Sequence, residues 1–169
     1  MQAYKFLRPH AVGPFSGFRW PLPTGGAPGR WVTAPGRLQP CLNGVHACRI
    51  SDLPFWLTEE LWRIELEGAV VEEETVVIAE RGRLVSRVDE WTGETALEYA
   101  DACAARARGH AAAAPDVAGY AHDAEGFAAA AREDRFDLVA VAAFAAAHTS
   151  DYADERRWQA AWLGQRLAL

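Results

Sequence analysis

Apolar and polar residues alternate strictly through Leu61-Trp62-Arg63-Ile64-Glu65-Leu66. That period of two predicts a half-buried strand, with Trp62, Ile64 and Leu66 inward and Leu61, Arg63 and Glu65 outward. Shorter β-favouring runs occur at Ala3–Leu7, Trp31–Thr33, Val76–Ala79 and Arg83–Val88. Gly68 is expected to break the first of the long strands, Glu72-Glu73-Glu74 to form a solvated turn, and Arg81-Gly82 to interrupt the last run. Ser51 or Asp52 is placed to cap a short helix over Leu53–Glu59, with Pro54 in its first turn. The segments Arg8–Gly17 and Pro21–Gly29 carry loop chemistry, being dense in proline and glycine.

Beyond Thr92 the period changes. Thr95 and Glu98 have capping-box spacing and open an alanine-rich helix to about Arg108, closed by Gly109. Pro115 and Gly119 break the next stretch, and Asp123–Arg132 reads as a helix. Phe136, Val139, Ala140, Ala143, Phe144 and Ala147 then recur at i, i+3, i+4, i+7, i+8 and i+11, one stripe of an amphipathic helix. Asp151 caps a last helix, Tyr152–Leu167, whose inward stripe is expected to hold Trp158, Ala161 and Trp162. Strands first and helices after predict an α+β fold. We read residues 1–169 as one domain. Its β-rich part, 1–90, forms a small, mainly antiparallel sheet packed with a helical part, 91–169.

The chemistry concentrates at Cys41-Leu42-Asn43-Gly44-Val45-His46-Ala47-Cys48. Asn-Gly favours a two-residue hairpin turn, because both central residues take positive φ. With that turn, Cys41 lies opposite His46, and Cys48 points to the same face two residues on. Cys41, His46 and Cys48 then form a three-ligand set for zinc or another transition metal, with the fourth position open. The same face also suits a cysteine nucleophile activated by His46. Against both stands the high burial of cysteine generally, so the leading expectation is that both cysteines are small buried hydrophobes and His46 is hydrogen-bonded within a core.

A second candidate is Phe18-Arg19-Trp20, where Arg19 and Trp20, with His46, could hold a planar or anionic ligand by stacking and cation–π contact. Arg81, Arg83 and Arg87 have the spacing of one strand face. The formal net charge of -6 disfavours a nucleic-acid or anionic-membrane surface. No apolar run reaches the roughly 20 residues that cross a bilayer, Met1–Phe15 lacks a signal-like apolar stretch, and three cysteines are an odd number for a secreted disulfide scaffold. A cytoplasmic location is therefore expected. A small molecule or a protein is the expected partner, and the alanine-rich helices leave a homodimer open.

The block from Cys41 to Cys48, with Asp52-Leu53-Pro54 after it, resembles a bacterial and phage domain family of unknown function whose core is Cys-x-x-Gly-Phe-His-Ala-Cys-like. The resemblance extends to the opening Tyr4-Lys5, to Arg63–Gly68 and to Val76–Ala79, about Ala3–Val88 in all. Phe6 and Val45 stand where that family has glycine and phenylalanine. The resemblance implies that the block is one unit and names no activity. A further likeness, to small mono-ADP-ribosyltransferase-like folds, rests on the short opening strand and on Gly44-Val45-His46; it implies NAD, with Glu65 as the acidic residue. The expected function is thus a non-catalytic binding or interaction module centred on the hairpin face and the Phe18–Trp20 loop. The alternative is an enzyme using that face through a metal, a thiol or NAD.

Overall fold

The computed structural model describes residues 1–133 and 135–169. Two compact units emerge, residues 1–53 with 58–89, and residues 54–57 with 90–169. The first is the sheet and the second the helices, an α+β fold. Among the described residues no helix is long and apolar enough to cross a membrane.

Five antiparallel strands make the sheet: β1 (Gln2–Leu7), β2 (Val32–Thr33), β3 (Val45–Ala47), β4 (Glu60–Glu72) and β5 (Val77–Arg87). Their order is β1-β4-β5-β2, and β3 also pairs with β5. Tyr4 and Cys48 exchange both backbone hydrogen bonds, at 2.8 and 2.7 Å. Thus β3 meets β1, and the sheet curls back on itself. Its inner face is apolar, from Ala3 and Leu7 on β1 through Val45 and Ala47 on β3 to Trp62 and Ile64 on β4. The alternation along β4 is realised as expected, except that Leu61, assigned to the outer face, is fully buried too.

Two expected breaks are absorbed instead. Gly68, with φ +84°, lies in an irregularity between Glu67 and Val70, and β4 continues to Glu72. A bulge bends and twists a strand without ending it. Likewise β5 runs unbroken through Arg81-Gly82, where a Cβ on Gly82 would stand 2.8 Å from Val45 Cγ1. The acidic turn is gripped, not merely solvated. Arg49 reaches Glu72 Oε2 at 3.0 Å and the carbonyls of Glu73 and Glu74 at 2.7 and 3.0 Å. Asp52 accepts from Arg49 N–H at 2.9 Å, and the helix beside it is a 3-10 helix, Ile50–Phe55, instead of an α-helix over Leu53–Glu59.

The second unit holds α1 (Gly93–Ala113), α2 (Ala118–Ala130), α3 (Asp137–Ala147) and α4 (Tyr152–Arg166). The cap of α1 is Thr92, whose Oγ1 accepts from Thr95 N–H at 3.1 Å, so the helix starts before the expected capping box. Gly109 lies inside α1. Its interior cost of about 1 kcal/mol is carried by alanines on both sides. A 3-10 turn at Pro115–Val117 leads into α2, which begins at Ala118, ahead of Asp123. Asp151 caps α4 as expected, accepting from Asp154 N–H at 2.9 Å.

The inward faces of α3 and α4 differ from expectation. On α3, Val139, Ala143 and Ala147 are buried, but Phe144 is 51% exposed. On α4 the buried positions are Glu155, Arg156, Gln159, Ala160 and Leu163. Trp158 and Trp162 are half-buried and Ala161 is exposed. The polar residues turn inward because each finds a partner there, as buried polar groups require. Glu155 pairs with Arg106 at 2.7 Å, and Gln159 Nε2 donates to Ala143 O at 2.8 Å.

Candidate functional site

The block around Cys41 folds differently from the expected hairpin. Leu42 N–H donates to Gln39 O at 3.1 Å, so the tight turn is Gln39-Pro40-Cys41-Leu42. Proline at the second position and a positive φ at the third, +62° at Cys41, are type II turn chemistry. Gln39 and Asn43 bridge the base of this turn. The Asn43 amide is bound outward to the carbonyls of Pro35 and Arg37, at 2.7 and 2.9 Å. Gly44, at φ +137°, turns the chain into β3, and a Cβ there would meet Ile78 Cγ2 at 2.2 Å. Pro40 outweighs Asn43-Gly44 as the organiser of the turn, because it fixes φ one residue before the bend.

The three candidate ligands are therefore separated in role. Cys41 is exposed. Cys48 is buried, and its thiol donates to Tyr4 O at 3.3 Å; burial pushes it up to about 12. His46 Nε2 accepts from Cys41 N–H at 3.1 Å, and Nδ1 lies 3.0 Å from Gly44 O. The ring is thus a strut across the turn in its neutral form, with Nδ1 carrying the proton. Burial lowers its pKa, nearby Lys5 adds to that, and the Gly44 carbonyl works against both. Among the described residues no three His, Cys, Asp or Glu side chains are grouped to hold a metal ion.

Arg19 is exposed on its loop, whereas Trp20 is buried with Phe18 edge-on at 5.6 Å. What links Trp20 to His46 is Lys5. Its Nζ donates to His46 O at 2.5 Å and lies 5.0 Å from the Trp20 ring centre. Sequence reasoning passed over Lys5 because it lies inside a short apolar strand with no motif around it. The arginine stripe is fully engaged: Arg83 pairs with Glu65, Arg81 with Glu67, and Arg87 with Glu60. Trp31 stacks beside the first two, at 4.5 Å from Arg83 and 4.9 Å from Arg81. Glu65 is thereby held by Arg83 at 2.7 Å.

The helical unit carries a different feature. Phe144, His148, Tyr152 and Arg156 are spaced by four along the chain, across the break between α3 and α4. The His148 ring stands 4.6 Å from Phe144, 5.1 Å from Tyr152 and 5.2 Å from Tyr120. Arg156 lies beneath these rings, 4.8 Å from Phe55, 5.2 Å from Tyr152 and 5.6 Å from Phe144. Its guanidinium donates to Tyr152 Oη at 3.1 Å, Gln159 Oε1 at 2.8 Å and Pro54 O at 3.4 Å. No carboxylate among the described residues lies within ion-pairing distance of it. Arginine keeps its charge when buried, so the ring faces and neutral acceptors must offset its desolvation. The rings themselves are open to solvent, Phe144 at 51% and Tyr120 at 48%, with Phe55, Val141 and Tyr152 each above a third. The four-residue spacing was the available signal, hidden by assigning Phe144 to the buried stripe of α3. No protein-family model, curated protein or solved structure matches this chain.

Proposed function

We propose that this chain is a non-catalytic interaction module, whose helical unit holds a short acidic-apolar peptide segment of a partner protein on the Phe144–His148–Tyr152 face. One observation carries the reading: contiguous exposed aromatic rings surround a guanidinium with no carboxylate partner among the described residues. A contiguous apolar patch of a few hundred Å² on a protein surface is often a binding site. The exposed parts of Phe55, Tyr120, Val141, Phe144 and Tyr152 sum to roughly 400 Å² at ordinary side-chain sizes. A stable dimer needs about 800 Å² from each partner, so the patch suits a short segment better than a second copy of the chain. The unbalanced positive charge beneath the rings favours a segment bearing a carboxylate next to its apolar anchors.

Binding here needs no bond-making group; on the hairpin face His46 is committed to the turn and Cys48 to Tyr4. Panning a display library of random short peptides against the purified protein tests the proposal. We expect enrichment of sequences combining aspartate or glutamate with aromatic or leucine residues, and loss of their binding to Phe144→Asp. Equal binding to that variant, or no enrichment, overturns the reading. A concentration-dependent dimer abolished by Phe144→Asp would replace the peptide with a second copy of the chain.

A further inference from the structure

The aromatic face continues into a groove of the same helical unit. Tyr120, near the start of α2, meets the His148 ring at the end of α3 at 5.2 Å. At their other ends, Phe127 of α2 and Leu138 of α3 line one cavity of about 400 Å³ with His122, Asp123, Gly126 and Arg135. The two helices are therefore antiparallel neighbours, with the aromatic face at one end of the groove between them and the cavity at the other. Tyr120 and Phe127 stand two turns apart on one side of α2, and Leu138, Val141 and His148 share one side of α3. Val141, 37% exposed, continues the apolar strip between the two ends.

The ends differ in charge. At the cavity, Arg135 is held by Asp137 at 3.0 Å, whereas no cation among the described residues lies within ion-pairing distance of Asp123. At the aromatic end it is Arg156 that has no carboxylate partner among the described residues. Given the peptide-binding reading, on which this rests, we infer that the partner segment is an amphipathic α-helix lying along the α2–α3 groove, with an apolar side chain in the cavity and a carboxylate over Arg156. Both walls are helices whose backbone groups bond internally, so an extended peptide finds no strand edge to pair with. A helix satisfies its own backbone. The span from Phe127 to Tyr120 is about 10 Å, which is two turns of an incoming helix as well. Direction follows from the charges. A helix is positive at its N-terminal end and negative at its C-terminal end, so the first belongs at Asp123 and the second at Arg156. The segment then carries an apolar residue followed about seven positions later by aspartate or glutamate.

Gly126 provides a variant that keeps the fold. It lies within α2, and a Cβ there meets nothing within 4 Å. Gly126→Leu thus puts a side chain into the cavity while replacing a poor helix former. The unaltered protein is panned with a displayed library of helix-locked peptides and, in parallel, with an unconstrained one. The strongest peptide from each is titrated by fluorescence anisotropy against the unaltered protein, Gly126→Leu and Phe144→Asp. We expect helix-locked binders with the apolar residue ahead of the acidic one, at least tenfold weaker on both variants, and a Gly126→Leu protein of unchanged circular dichroism. Binders weakened by Phe144→Asp but not by Gly126→Leu overturn the groove and leave the aromatic face standing. So do binders from the unconstrained library alone, or a consensus with the acidic residue first. Binders indifferent to Phe144→Asp, or none from either library, remove the face and the groove together.

Discussion

His46 shows how a residue type that suggests chemistry can be committed to architecture. Its Nε2 accepts a backbone N–H from Cys41, and protonation would set two N–H groups against each other. Burial first, and Lys5 second, hold its pKa below the ordinary value near 6.5. Because the unfolded state then binds more protons, this contribution to stability is complete above about pH 6.5 and lost as pH falls through the folded value. The His46 imidazole signals should titrate below pH 6.5 by NMR, whereas a midpoint at or above that value contradicts the strut. Glu60 is the other committed residue. Its carboxylate accepts from His10 and Ala11 N–H, both at 3.1 Å, and from Trp62 Nε1 at 3.0 Å. His10 and Ala11 both take positive φ, at 67° and 56°, so Glu60 holds a strained turn. Glu60→Gln replaces one acceptor oxygen with a donor facing donors, and should cost about 2 kcal/mol, read by urea unfolding. Nothing in the sequence marked Glu60, because the turn it holds lies some 50 positions away and is met through backbone N–H groups.

Among the elements, those defined by local period were legible and those defined by partners were not. The inward face of β4 followed from alternation at Trp62, Ile64 and Leu66. The start of α1 did not, because Thr92 and Thr95 both offer a capping hydroxyl and the chain uses the earlier one. Thr92→Ala should therefore lower stability by about 1 kcal/mol, seen as a reduced denaturation midpoint. Thr95→Ala, which leaves the cap oxygen in place, is expected to cost less. The inward face of α4 was misread for a related reason. Periodicity ranks Trp158 and Trp162 above Glu155, Arg156 and Gln159, yet Arg106, Ala143 O and neighbouring rings supply the polar trio with partners. Burial follows satisfied contacts rather than residue type. On α3 the same ranking misplaced Phe144, which is 51% exposed.

At the scale of the molecule, the sequence passes from strand period to helix period near residue 90, and the two compact units part at 89/90 with residues 54–57 in the second. The crossing of Pro54–Leu57 into the helical unit was not anticipated, since a four-residue stretch carries no period. The candidate site moved further. Sequence reasoning sought it where cysteine and histidine cluster, whereas the structure exposes rings on a run spaced by four, Phe144, His148, Tyr152 and Arg156. The chain's formal net charge is -6, yet no carboxylate among the described residues lies within ion-pairing distance of Arg156. The most direct measurement is calorimetric titration of the strongest peptide selected by the unaltered protein, repeated on Phe144→Ala. Half exposed, that ring should contribute more to binding than to folding. We predict at least a tenfold loss of affinity in a variant that still unfolds cooperatively. Equal affinity for both proteins would contradict the assignment of this face.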